Sequence, residues 1–166
     1  MQNIKTQSFK NQRVLIRVDF NVPLNDSQEI TDISRISAAV PTIKRVLVNG
    51  GIPIIISHLG RPNGKDSTLS LCPVAKKLAQ IMSKNVIFLD DCIGEKVKLK
   101  ISKSTYGEIY LLENLRFYTE EKNGDLSFAK ELASLADVYV NDAFGTSHRA
   151  HASTSVVAQF FKGNKY

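Results

Sequence analysis

The segment IPIIISHLGRPNG, Ile52–Gly64, contains the pattern that decides the fold. Its first six residues, Ile52–Ser57, are apolar on both faces, whereas a strand with one solvent-exposed face would alternate apolar and polar side chains. A short, β-branched run of this kind indicates a central strand of a parallel sheet, covered on both sides. Gly60 and Pro62 then indicate tight turns, which would hold Arg61 near the edge of that sheet.

Similar apolar runs recur along the chain, and a helical pattern separates each run from the next. The alternation predicts an α/β fold, a three-layer, Rossmann-like parallel sheet with helices on both faces and right-handed crossovers. The first helix should begin near Ser37, because Pro41 is tolerated only in a first turn. The predicted strands are Val14–Val18, Ile52–Ser57, Asn85–Leu89, Glu108–Leu112 and Val138–Val140, and the later helices are Ser70–Lys84, a weaker one in Asp91–Thr105, Asp125–Ala136 and Thr154–Phe161.

The composition is that of a globular domain, with 43% hydrophobic and 23% charged residues in a chain of 166. Such a length fits one domain or one part of a larger protein. No stretch reaches the about 18 apolar residues of a membrane span, and the first residues lack the apolar segment of a secretory signal. Cys72 and Cys92 form no CxxC pair, so we expect free thiols in a cytoplasmic, reducing compartment.

The net charge of +6 suggests an anionic ligand, and the arginines suggest where it binds. The lysines are spread over predicted helices and polar loops, as on a solvated surface. Four arginines instead occur in segments that follow predicted strands. Because guanidinium groups bind carboxylates and phosphates in a bidentate way, this distribution favours a discrete anion pocket. A nucleic-acid surface remains an alternative. The four are Arg35, Arg61, Arg116 and Arg149.

The residues after the predicted strands form one candidate rim, since ligands of open α/β sheets bind outside the carboxyl ends of the strands. We expect Asp19 and Asn21 to orient a small anionic substrate there. Glu113 and Asp142 are expected to be ionised and to hold guanidinium groups in place. The other polar rim residues are His58, Arg61, Asp90, Asp91, Asn114, Arg116, Asn141, His148, Arg149 and His151.

Several familiar phosphate and metal motifs are absent. In GRPNGKDST, Gly60 and Gly64 are one residue too close for a P-loop, and Asp66 stands where a Ser or Thr is needed. No GxGxxG pattern follows the first strand. His148 and His151 are three residues apart without further ligands nearby in sequence, so no metal site is expected.

Five stretches, taken together and in order, resemble the N-terminal domain of the phosphoglycerate kinase family. The resemblance covers the chain from about Gln12 to its last residues. The stretches are RVDFNVP (Arg17–Pro23), SRISAAVPTI (Ser34–Ile43), SHLGRPNG (Ser57–Gly64), LLENLRF (Leu111–Phe117) and VNDAFGTSHRAHAS (Val140–Ser153).

The resemblance implies a glycolytic phosphoryl transfer between 1,3-bisphosphoglycerate and ADP that gives 3-phosphoglycerate and ATP. Residues 1–166 would form the N-terminal, substrate-binding domain. Asp19 and Asn21 would orient the glycerate, and a basic patch would bind its phosphate, with Arg35 reaching the transferring group as the catalytic residue. The patch would consist of Arg35, His58, Arg61, Arg116 and Arg149.

The resemblance also implies that family members are more than twice as long as this chain. Mg-ATP or Mg-ADP would be bound by a C-terminal domain, which would close on this one, and no cofactor or metal is expected in this chain. The chain would then be a monomeric fragment that binds 3-phosphoglycerate or 1,3-bisphosphoglycerate but does not turn over, without nucleic-acid or membrane partners. A stand-alone anion-binding module on the same fold remains an alternative.

Overall fold

A five-stranded, all-parallel sheet forms the centre of the protein in a computed structural model, which describes residues 4, 7–143, 145 and 150–166. The strand order is β3-β4-β2-β1-β5. All five predicted strands are present, although three of them are shorter or longer than expected by two residues at one end. They are β1 (Arg13–Val18), β2 (Ile52–Ile56), β3 (Ile87–Leu89), β4 (Tyr110–Leu112) and β5 (Val138–Asp142).

Helices cover both faces of the sheet, as the sequence predicts. They are α1 (Ser34–Val48), α2 (Cys72–Met82), α3 (Glu95–Ser102), α4 (Thr119–Asn123) and α5 (Leu126–Ala133). The five-residue α4 is too short to give a periodic pattern, so the sequence pattern does not predict it. In place of the predicted final α-helix, a π-helical turn (Ala152–Val156) leads into a 3₁₀ turn (Val157–Phe160). Among the described residues, no helix is both long and apolar enough to cross a membrane.

Each face of the sheet has its own hydrophobic core, because successive side chains of a strand point to opposite faces. Ile16 of β1 and Ile55 of β2 pack beneath α1 and α2. Leu15 of β1 and Ile54 of β2 face the other way, into the core that α3, α5 and the turns at 152–160 cover. Burial of the central strands on both faces explains why they read as continuous apolar runs.

The first helix departs from the prediction at its start. It begins at Ser34 and contains Pro41 in its interior, so the expected start near Ser37 is wrong. Pro41 and Ser37 both lie on the exposed side of α1. Water can therefore reach the carbonyl group that the missing Pro41 N–H would have satisfied, which lessens the cost of proline in a helix interior. Arg35 consequently lies in the first turn of the helix.

From the ends of the neighbouring strands β1 and β5, the chain continues in opposite directions along the sheet. After β1 it crosses to β2 on one side, whereas after β5 it comes back as a short segment, residues 164–166, that pairs with the outer edge of β5. In that segment, Tyr139 N donates to Asn164 O at 2.9 Å and Tyr166 N donates to Tyr139 O at 2.9 Å. Such a reversal opens a crevice at the carboxyl ends of neighbouring strands, which is where open α/β sheets bind ligands.

Candidate anion-binding site at the carboxyl edge of the sheet

The loops that follow β1 and β2 are joined by side-chain hydrogen bonds. Ser57 Oγ donates to Val18 O at 2.8 Å and accepts from Phe20 N at 2.8 Å. Asn21 Oδ1 accepts from Gly60 N at 2.8 Å. Since these bonds connect residues at the ends of two paired strands, the two loops are held in one arrangement at the rim.

The loop after β4 is fastened to the same place through Asn114. This buried amide accepts a hydrogen bond from Leu59 N at 3.2 Å and donates to Leu59 O at 2.8 Å. Two residues later, Arg116 Nη1 donates to Gly60 O at 2.8 Å. The guanidinium group of Arg116 is therefore fixed at the rim, next to the turn that carries Arg61.

Arg35 and Asp19 form an ion pair across the mouth of the crevice, through Arg35 Nη1 and Asp19 Oδ2. The Arg35 side chain is 51% exposed and that of Asp19 19% exposed, so the pair borders solvent. The other oxygen of the carboxylate, Oδ1, accepts from Asn21 N at 3.1 Å. Asp19 thus orients Arg35, and both predicted site residues meet.

His58 lies at the centre of the site and is 3% exposed. Its pKa is lowered to about 2, first because burial disfavours the charged ring and then because Arg17 and Arg116 lie close by, with smaller effects of His151 and Arg35. His58 is consequently neutral at physiological pH. It contributes a hydrogen-bonding group to the predicted basic patch and no positive charge.

Arg17 lies directly beneath the candidate site and is not among the residues predicted from the sequence. It lies in β1 within the apolar run VLIRV, is fully buried, and donates from Nη2 to His58 Nδ1 at 3.0 Å. Its Nη1 also donates to Val18 O. A charged residue inside an otherwise apolar central strand was the available signal, since such residues are rarely buried without partners.

Of the other two predicted arginines, Arg61 and Arg149, only Arg61 lies among the described residues. Arg61 is exposed, and no hydrogen bond or ion pair joins its guanidinium group to another of the described residues. It is therefore available to a ligand that reaches the rim. Arg149, like its neighbour His148, lies outside the described residues.

The prediction that Glu113 holds a guanidinium group is wrong. This buried carboxylate accepts from Leu71 N at 2.9 Å and from Ser70 Oγ at 2.7 Å, so it fastens the start of α2 to the end of β4. The helix predicted to begin at Ser70 begins at Cys72, with Leu71 as its N-cap. The reason is tertiary, because Glu113 approaches from 42 residues away.

Two further features concern a possible metal site and the turn around Asp66. No group of three or more His, Cys, Asp or Glu side chains within the described part of the chain could hold a metal ion. Asp66 accepts from Thr68 N at 2.9 Å and starts a 3₁₀ turn at Ser67–Leu69. The carboxylate of Asp66 is thus occupied in capping this turn.

Comparison with known proteins gives one consistent result. A family model described as Phosphoglycerate kinase matches residues 4–165. A phosphoglycerate kinase from Dictyoglomus turgidum is 55% identical over 97% of this chain, which covers 40% of that relative. A crystal structure of phosphoglycerate kinase from Pyrococcus horikoshii OT3 superimposes with a TM-score of 0.85 at 33% identity, over 95% of this chain and 40% of that one.

A further solved structure, phosphoglycerate kinase from Coxiella burnetii, has a TM-score of 0.82 at 36% identity, over 93% of this chain and 38% of that chain. The chain thus spans about 40% of the length of the relatives that it matches. Because the family match covers nearly all of the 166 residues and the parallel sheet agrees with that of the solved relatives, this chain belongs to the phosphoglycerate kinase family.

Proposed function

We propose that this chain is the N-terminal, glycerate-binding half of a phosphoglycerate kinase. The proposal rests mainly on one observation: three arginines from different elements surround the neutral side chain of His58. Arg17, Arg35 and Arg116 come from β1, α1 and the loop after β4, and all three act electrostatically on His58. Arg35 and Arg116 lie at the rim, and with the buried charge of Arg17 beneath them they suit a small, multiply charged anion.

The ligand would be held by groups with different tasks. Arg61 and Arg116 would pair with the phosphate that is not transferred, together with Arg149, which lies outside the described residues. Asp19 and Asn21 would orient the glycerate, and His58 would supply an uncharged hydrogen bond. Because Arg116 is already anchored to Gly60 O, little conformational entropy would be lost when it binds a phosphate.

Arg35 would act on the phosphoryl group in transfer. It lies at the first turn of α1, is half exposed, and is oriented by Asp19, so it can reach outward from the rim. Phosphoryl transfer depends on positioning and on charge neutralisation more than on covalent chemistry with the protein. The Mg-nucleotide would be bound by the C-terminal part of such a kinase, and closure would bring it to this rim.

Isothermal titration calorimetry with 3-phosphoglycerate tests the proposal directly. We expect saturable binding of one ligand per chain, with competition by excess inorganic phosphate. The control is a variant with Arg13→Ala, which removes an arginine at the opposite end of β1, where it pairs with Asp137. Absence of saturable binding by a folded chain would contradict the assignment.

Two other functions are distinguished by a titration with a DNA duplex and by an assay of phosphoryl transfer. A nucleic-acid binder would prefer a DNA duplex, with affinity that falls steeply as salt rises. A stand-alone anion-binding module would bind the small acid without supporting transfer in any context. To separate it from the kinase half, the chain can be joined to the C-terminal part of the Dictyoglomus turgidum relative and assayed for ATP formation.

A further inference from the structure

A chain of hydrogen bonds runs beneath the rim through four buried side chains. Arg17 Nε donates to Ser153 Oγ at 2.9 Å, and Ser153 Oγ donates to Glu121 Oε1 at 2.5 Å. The second carboxylate oxygen, Oε2, accepts from Ser153 N at 2.9 Å. At the other end, Arg17 Nη2 contacts His58 Nδ1 at 3.0 Å. Arg17, Ser153 and Glu121 are fully buried.

The contact between Arg17 and His58 determines which ring nitrogen carries the proton. A guanidinium group has only donors, so His58 Nδ1 must accept, and a neutral ring then carries its proton on Nε2. The same contact opposes protonation of Nδ1, since a second proton would face the guanidinium charge. Arg17 thus specifies the tautomer of His58 and adds to the effect of burial, which keeps the ring neutral.

Glu121 and Ser153 explain why Arg17 stays in place. A buried guanidinium group needs a nearby counter-charge and acceptors for its N–H groups. The carboxylate of Glu121 attracts Arg17 electrostatically, and Ser153 Oγ links the two because it accepts from one and donates to the other. The guanidinium group therefore approaches His58 in one orientation.

We infer that Arg17 is a positioning residue that holds His58 as a neutral, Nε2-protonated hydrogen-bond donor at the anion site. This inference rests on the proposed function for its ligand, but the geometry of the ring is independent of that ligand. Arg17 itself does not reach the rim, because its side chain is fully buried.

The charged groups around the pair are consistent with this role. Arg116, His151 and Arg35 face His58 in addition to Arg17. Glu121, Tyr139 and Asp19 face Arg17. The neighbours of His58 add to burial in disfavouring the charged ring, while the carboxylates of Glu121 and Asp19 act on Arg17.

Two-bond ¹H–¹⁵N NMR spectra of the 166-residue chain report the tautomer directly. We expect the pattern of a single Nε2-protonated ring for His58, unchanged between about pH 5 and pH 8, where an ordinary histidine titrates. A ring protonated on Nδ1, or a ring that titrates near 6.5, its ordinary value, would overturn the inference.

Two substitutions of Arg17 separate a positioning role from a purely structural one. Arg17→Met removes the donor and the charge, and Arg17→Lys keeps the charge but cannot bridge Ser153 and His58 together. In both, we expect His58 to show a mixture of tautomers or to titrate within the measured range. Arg13→Met is the matched control on the same strand and should leave the His58 signals unchanged. If Arg17→Met does not fold, the His58 tautomers of Arg17→Lys and of the unmodified chain still test the inference.

A titration with 3-phosphoglycerate adds a functional readout. Arg17→Lys should weaken binding about fivefold, as expected for the loss of one hydrogen bond. Weaker binding with a pure Nε2-protonated ring would overturn the inference, because Arg17 would then not act through His58. A pure Nε2-protonated ring in both Arg17 variants would overturn it as well. If the unmodified chain binds no 3-phosphoglycerate, the proposed function fails while the tautomer measurements still decide the inference.

Discussion

Asn21 and Gly60 are joined by a hydrogen bond of 2.8 Å from Gly60 N to Asn21 Oδ1, although they are 39 residues apart in sequence. The carbonyl group of Gly60 accepts from Arg116 Nη1, so this one peptide segment is held from both sides. Gly60 has a φ of +62°, and a Cβ atom there would lie 2.9 Å from a methyl group of Leu69. The position of Arg61, the next residue, is therefore set by the loops around it.

Substitution of Asn21 by alanine should loosen the turn that carries Arg61. We expect the Gly60 amide to exchange its hydrogen faster, and the free energy of unfolding to fall by about 1 kcal/mol, because a hydrogen bond at the rim is lost. Hydrogen exchange by NMR and urea unfolding measure the two effects. Asn63→Ala, at an exposed position of the same loop, is the control. Unchanged exchange at Gly60 would show that Asn21 does not hold the turn.

Substitution of Arg61 by alanine should weaken binding of 3-phosphoglycerate without unfolding the chain. The expected loss is about 1.5–3 kcal/mol, the range for a hydrogen bond to a charged group. Arg61 is exposed, so its removal leaves no cavity, and calorimetry can compare the two chains directly. Lys103→Ala, which removes an exposed cation at the C-cap of α3, should bind like the unmodified chain. Equal affinities of the Arg61 variant and this control would rule out Arg61 as a ligand contact.

Substitution of Arg35 by alanine should reduce turnover more than ground-state binding. The experiment needs the chain joined to the C-terminal part of the Dictyoglomus turgidum relative, since nucleotide is required. If Arg35 neutralises charge that develops in transfer, kcat falls while KM for 3-phosphoglycerate changes little. A rise in KM with unchanged kcat would instead make Arg35 a binding residue. Arg13→Ala in the same fusion protein controls for general effects of removing an arginine.

The stability of the chain should depend on His58 as pH is lowered. Its pKa is 6.5 in an ordinary environment and about 2 in the folded state, where burial and the neighbouring arginines disfavour the charged ring. Below pH 6.5 the unfolded chain therefore takes up a proton that the folded chain does not, and the free energy of unfolding falls. This single group contributes a slope of up to about 1.4 kcal/mol per pH unit.

Urea unfolding at a series of pH values measures that slope. His58→Gln removes the titrating ring and should flatten the curve between about pH 6 and pH 4.5, above the range in which ordinary carboxylates titrate. Identical slopes in the two chains would show that His58 is not buried as a neutral ring. Asp137, whose pKa is lowered by Arg13 despite the opposing effect of its partial burial, adds its own loss of stability only at lower pH.

The two thiols should differ in reactivity, as both are free but only one is accessible. Cys92 is fully buried, and burial raises the pKa of its thiol well above the ordinary value, with the nearby Asp91 acting in the same direction. Cys72 is half-buried, at the start of α2. A thiol reagent should therefore modify Cys72 in the folded chain and Cys92 only in urea, because thiolate is the reactive form. A Cys72→Ser chain that still reacts rapidly without urea would contradict this.

The layer architecture and the sheet edge that carries the candidate site could be predicted from the sequence. Continuous apolar runs such as Ile52–Ile56 are compatible only with burial on both faces, and alternation with helices then requires a parallel sheet. Parallel strands have their carboxyl ends at one edge, so Asp19, His58 and Arg116 had to meet there. These conclusions depend on local composition and chain direction, both of which are readable without coordinates.

The partner of each polar side chain, in contrast, depends on contacts between distant segments. From its position near arginines in the sequence, Glu113 is predicted to pair with a guanidinium group. In the structure it accepts a hydrogen bond from Leu71 N, 42 residues away, and so fastens the start of α2. The neutral state of His58 depends on burial and on Arg17, which is 41 residues distant. A side chain's charge and hydrogen bonds are set by its desolvation and its nearest neighbours in space, and both arise from contacts between segments that the order of residues does not reveal.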